Sequence, residues 1–222
     1  MKETLAVRLA LARTLVLRRR IRWIVAATIT YNVIEATVAL AAGTVASSTA
    51  LIAFGLDSIV EVLSAAAVAW QFSAPDPEGR EKTALRVIAW SFFALAAYVT
   101  VNAILALSGL HQAEPSRVGL ILAAVSLAVM PTLSWFERTT GRELGSASAV
   151  ADSKQTLLCG YLSAALLVGL GLNALLGWSW ADSAAALVIA GFAVKEGREA
   201  WRGDACMVPV AALTGERVID EE

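Results

Sequence analysis

The chain reads as an all-α integral membrane protein, a bundle of six transmembrane helices with both termini cytoplasmic. Three observations predict this. Of the 222 residues 58% are hydrophobic, with a mean hydropathy of +0.66, against roughly 45–50% apolar residues in soluble domains. Six apolar stretches each approach the ~20 residues that cross a bilayer as a helix. When these are threaded through a membrane, seventeen of the eighteen Lys and Arg residues fall on one side, as they do on the cytoplasmic side of membrane proteins.

Residues 1–20 (MKETLAVRLALARTLVLRRR) come first. Arginines interrupt their apolar run and no small-residue cleavage site follows, so a signal peptide is not expected. A basic amphipathic helix on the inner membrane surface fits instead, as a lipid or partner contact or as a plain topology anchor. The spans then run Ile21–Ala42, Ser48–Phe72, Leu85–Leu107, Val118–Phe136, Ala151–Gly177 and Ala181–Ala200. Pro75 to Gly79 (PDPEG) makes a turn between the second and third. The basic residues sit in the N-terminal arm, in the second and fourth loops and at the C-terminal end, and Arg117 alone lies opposite. An even number of spans returns the chain to its starting side. Residues 21–202 are therefore expected to form one six-helix membrane domain, and 203–222 a cytoplasmic tail too short for a second folded domain.

The net charge of −1 and the absence of any nucleic-acid signature give no reason to expect a nucleic-acid partner. The expected partners are the lipid bilayer and whatever the polar residues inside it bind. Cys159 and Cys206 fall on different elements, one in the reducing cytoplasm, so no structural disulfide is expected.

Charges within the spans carry the functional signal. Asp57 and Glu61 are four residues apart in an otherwise uncharged apolar run, which stacks both carboxylates on one helix face, one turn apart. Each acid in the bilayer core costs roughly 2.5–3.5 kcal/mol on insertion scales, so the pair implies a use. Gln155 and Cys159 repeat the spacing on span five, which runs the opposite way across the membrane. If the two spans meet, two carboxylates, an amide oxygen and a thiol surround one point, a donor set that suits a divalent transition metal. The thiol argues against a site for Mg²⁺ or Ca²⁺. The blander reading makes Asp57 and Glu61 a structural pair, bonded to each other or to Asn32.

The remaining polar groups allow several roles. Glu35 is a proton site, an extra ligand or a partner for a polar residue on a neighbouring helix. Gln155 and Asn173 can bond across helices. Asp152 and Lys154 lie near the inner interface, where solvent reaches them, although Asp152 is also a candidate accessory site. Asp182, just after Trp178 and Trp180, is expected to cap span six at the outer interface. His111, the only histidine, falls in an outer loop with Glu114, and a lone loop histidine is not expected to be a ligand. Small residues on spans two and five, such as Ser64 to Ala67 and Gly160 to Ala165, permit the close approach that a shared site requires.

Three segments carry a resemblance to a known family. Ser48 to Ser64 (STALIAFGLDSIVEVLS) resembles the second transmembrane helix of cation diffusion facilitator transporters, with its acid-x-x-x-acid pair. Ala151 to Ser163 (ADSKQTLLCGYLS) resembles their fifth helix, and Trp180 to Ala190 (WADSAAALVIA) with Lys195 to Trp201 (KEGREAW) resembles the sixth and its exit. The resemblance implies proton-coupled efflux of a divalent metal, commonly Zn²⁺, by a homodimer in the plasma membrane. It implies a metal site at Asp57, Glu61, Gln155 and Cys159, with Asn32, Glu35, Asp152 and Asp182 as accessory or proton-handling positions. The metal is cargo, and no prosthetic group is expected.

Two departures stand out. Gln155 and Cys159 occupy positions where the family usually has His and Asp, which leaves Fe²⁺, Co²⁺ and Mn²⁺ as alternatives to Zn²⁺. The cytoplasmic C-terminal domain common in the family is not expected, which likens the chain to short membrane-only members such as the transmembrane protein 163-like group. A non-transporting metal sensor or accessory subunit is the alternative function. An intramembrane enzyme holding Mg²⁺ and a diphosphate is disfavoured, because that chemistry wants acidic motifs on several loops with basic groups nearby.

Overall fold

Hydrocarbon offers the backbone no hydrogen-bond partners, so a chain this apolar is driven to satisfy its amides within helices. The computed structural model describes residues 2–72, 78–109, 113–144 and 147–202, and every regular element among them is an α-helix. The helices are α1 (Lys2–Ala46), α2 (Thr49–Phe72), α3 (Glu78–Leu107), α4 (Arg117–Leu144), α5 (Ala147–Leu176) and α6 (Ser179–Arg202). Each of the six expected spans lies within one of them, apart from Ser48 and Gly177, which lie one residue outside α2 and α5. Segments Arg19–Ala46, Lys82–Leu107, Arg117–Glu143 and Thr156–Leu176 are long and apolar enough to cross a membrane. α2 and α6 have 24 residues each, about 36 Å at helical rise, with Asp57 and Glu61 on α2 and Asp182, Glu196 and Glu199 on α6.

α1 differs from expectation in length. It continues without a break from Lys2 through Arg18, Arg19 and Arg20 to Ala46, about 67 Å at helical rise, so no helix end marks the boundary at residue 20. Arginine is a good helix former, and charge alone does not stop a helix. The stop comes at Ser47, whose φ of 51° is left-handed, and Ser48 N–H returns to Gly43 O at 3.0 Å. Such a left-handed residue satisfies carbonyls that the helix end would otherwise orphan.

α4 packs along α5, α3 along α6 and α1 along α2, with α1 also against α4 and α2 against α3 and α6. α2 and α5 meet only over a short stretch. Leu51 and Phe54 of α2, Phe92 and Val99 of α3, Leu166 of α5 and Ile189 of α6 belong to one buried core. Large apolar side chains also cover the outside, among them Ile34, Trp90, Ile121 and Leu175. For a bundle in water this would be a liability; facing lipid tails it is the stable arrangement.

Small residues are used differently from the expectation that they bring α2 to α5. A Cβ at Gly169 of α5 would lie 2.6 Å from Ala185 Cβ of α6, and one at Gly160 would lie 3.1 Å from Pro131 of α4. The glycines of α5 thus draw it towards α6 and α4. Where α5 meets α2, Cys159 bonds Glu61.

Candidate cation site

α2 begins at Thr49 and presents Asp57 and Glu61 on the face turned towards the other helices. Glu61 is held from two sides: its Oε2 accepts from Asn32 Nδ2 of α1 at 2.6 Å, and its Oε1 accepts from the Cys159 thiol of α5. The α2–α5 meeting that the paired i, i+4 spacing called for therefore occurs, and it joins Glu61 to Cys159. The structural alternative is also partly realised, through Asn32. Asp57 is 7% exposed, and among the described residues no hydrogen bond to its carboxylate is found.

Asp57, Glu61 and Cys159 line a cavity of about 20 Å³, closed by Phe92 of α3 and by Phe192 and Glu196 of α6. A space of that size holds about one water-sized body. Its lining contains three carboxylates and no basic side chain. Among the described residues no three His, Cys, Asp or Glu groups are already arranged to grip a metal ion, and both oxygens of Glu61 are engaged, by Asn32 and Cys159. A cation would have to displace those hydrogen bonds.

Gln155 lies on α5 one turn before Cys159, and Asp152 and Lys154 lie on the same helix; their side chains fall outside the described residues, as do His111 and Cys206.

Glu35 belongs to a second polar cluster. Ser58 Oγ of α2 donates to its Oε2 at 2.8 Å, Ser126 of α4 donates to its Oε1, and Tyr31 OH lies 2.7 Å from Ser126 Oγ. Glu35 thus has polar partners on two neighbouring helices, α2 and α4. Glu35 does not line the cavity.

Asp182 corrects an expectation. α6 begins at Ser179, so Asp182 sits inside the first turn rather than at its cap. It serves α2 instead: Oδ1 accepts from Ser48 Oγ at 2.5 Å and Oδ2 from Ala50 N–H at 3.2 Å, while Ser48 Oγ accepts from Leu51 N–H at 3.1 Å. The start of α2 is thereby capped by its own serine and by an acid from α6, where negative charge complements the helix dipole. Asn173 does bond away from its helix, its Nδ2 donating to Ala113 O at 2.9 Å.

Two acids escaped the sequence reading, the buried Glu137 just beyond the fourth apolar run and the half-buried Glu196 near the end of the sixth. Glu137, fully buried on α4, accepts from Thr156 Oγ1 of α5 at 3.4 Å. Glu196 lies near the end of α6 and reaches the cavity. Ala193, Glu196, Gly197 and Ala200 recur at helical spacing on α6, and this small-residue face was the signal that Glu196 points inward.

Four apolar spanning segments around buried polar groups define a helical, multi-pass membrane protein. A family model described as the cation efflux transmembrane domain matches residues 83–202, more than half of the chain. The chain belongs to the cation efflux family, and is thus a cation transporter. The match covers Cys159, Asp182 and Glu196 and begins after α2, so Asp57 and Glu61 lie outside it. No curated protein matches the chain significantly.

Proposed function

We propose that the protein exports a divalent transition-metal cation, Zn²⁺ foremost, in exchange for protons by alternating access. The site is built on Asp57, Glu61 and Cys159 with Gln155, and the metal is cargo. All six helices cross the plasma membrane with both termini cytoplasmic, on the strength of the Lys and Arg distribution, and the protein works as a homodimer without enzymatic activity. The observation that carries the reading is the Asp57 carboxylate, buried, without a hydrogen bond among the described residues, and lining a cavity shared with Glu61 and Cys159. Uncompensated charge there is costly, so protons or a cation must neutralise the acids. Metal binding needs the deprotonated ligands and expels their protons. Exchange then follows from one site that does not hold both.

Glu61 favours a second reading. With both oxygens bonded, it is tied into a static helix contact, as suits a protein that binds metal without moving it. Metal-by-metal uptake into proteoliposomes under a pH gradient separates the two. Uptake that Asp57→Ala abolishes supports transport; metal binding with no flux of any ion selects the sensor or accessory subunit.

A further inference from the structure

The sequence and the family place metal ligands on the second and fifth helices, and the cavity has a third contributor. We infer that Glu196 of α6 is a cation ligand at the mouth of this cavity, receiving a divalent cation from water and sharing it with Asp57 and Glu61. The inference rests on the transport-site reading above and adds a helix to it.

Glu196 lines the same cavity as Asp57, Glu61 and Cys159. Its side chain is 22% exposed, whereas Asp57 is 7% exposed as a residue, so Glu196 connects the interior acids with the surroundings. Its Oε1 accepts no hydrogen bond and lies 3.6 Å from Lys195 Nζ. Lys195 does not neutralise it firmly: the lysine is 54% exposed and lies closer to Glu199, at 3.2 Å, and exposed pairs of this kind contribute little. The buried Asp57 carboxylate, lacking a hydrogen-bond donor among the described residues, independently marks the cavity as a place for a cation.

The position of Glu196 is fixed by packing. Next to it, Gly197 abuts α3 so closely that a Cβ would stand 2.8 Å from the Phe93 ring, while Phe192 and Ala193, one turn earlier, line the cavity. α6 is thereby pressed against α3 with Glu196 turned inward. Three carboxylates beside one thiol make an oxygen-rich set, which accepts Mn²⁺, Fe²⁺ and Co²⁺ along with Zn²⁺.

Co²⁺ titration of the purified full-length protein, read by its d–d absorption, tests this. Glu196→Gln should raise the half-saturating Co²⁺ concentration at least about tenfold, the scale of losses when groups around a metal are removed. Glu196→Asp should recover part of that loss, and Glu199→Gln, which alters the same lysine outside the cavity, should leave binding unchanged. If Asp57→Asn abolishes Co²⁺ binding while Glu196→Gln binds like the unmodified protein, the role of Glu196 is overturned and the site reading stands. Equal binding by the unmodified protein and Asp57→Asn would overturn the site reading itself, and the inference with it. An equal loss in Glu196→Gln and Glu199→Gln would also overturn the inference, since it would trace the effect to Lys195.

Discussion

Asn32 of α1 donates its side-chain amide to Glu61 of α2 at 2.6 Å, so one acid of the helical pair is oriented by a neighbouring helix and not by Asp57 one turn away. The Asn32 carbonyl oxygen itself is buried without a hydrogen bond, so Asn32 is bonded through its amino group towards Glu61. Hydrogen bonds between membrane helices contribute about 0.6 kcal/mol on average and up to about 1.7. Asn32→Leu should therefore destabilise the protein by about 1 kcal/mol, lowering the melting temperature in detergent by about 2–4 °C.

Asp182 holds the start of α2, so its loss should act on stability before it acts on the ion. Removing a helix cap costs about 1 kcal/mol and up to about 2. Asp182→Ala should lower the melting temperature while leaving the half-saturating metal concentration of the folded fraction unchanged; Asp182→Asn, which keeps an acceptor for Ser48, should lose less. A changed metal affinity at full stability would assign Asp182 to the transport site.

The α5–α6 contact has no room at Gly169, where an added Cβ would meet Ala185 Cβ at 2.6 Å and Ala181 O at 3.0 Å. Overpacking of this kind costs about 1–3 kcal/mol. Gly169→Val should reduce folded yield and melting temperature, whereas Gly171→Ala, with open space around it, should be tolerated. Size-exclusion chromatography with a thermal melt distinguishes the two.

Cys159 sets one sulfur beside the three carboxylates that line the cavity. Cys159→Ser replaces a soft donor by a hard one, so Zn²⁺ and Cd²⁺ uptake should fall by about tenfold or more while Mn²⁺ uptake changes little. An equal fall for all three ions would make the thiol a structural partner of Glu61 only.

The helices were legible because crossing hydrocarbon demands long apolar runs, and all six appear where those runs lie. The Asp57/Glu61 pair was legible for the converse reason: acids in such a run are conspicuous. What the sequence hid depends on which helices touch. Nothing local shows that Asp182 serves the start of α2, because that bond links residues 134 positions apart. Glu196 drew no reading of its own, because the small-residue face of α6 that marks its side as inward gains meaning only once Gly197 is seen packed on α3. The uninterrupted α1 was missed because arginines end an apolar stretch without ending a helix.

In the proposed exchange of a cation for protons, Asp57 carries both. Proteoliposomes containing a metal-sensitive and a pH-sensitive dye, given Zn²⁺ outside and an acidic interior, measure both movements at once. The unmodified protein should show Zn²⁺ uptake coupled to loss of internal acidity, and Asp57→Ala should show neither above the protein-free background. Coupled Zn²⁺ and proton movement that persists unchanged in a folded Asp57→Ala protein would contradict this role of Asp57.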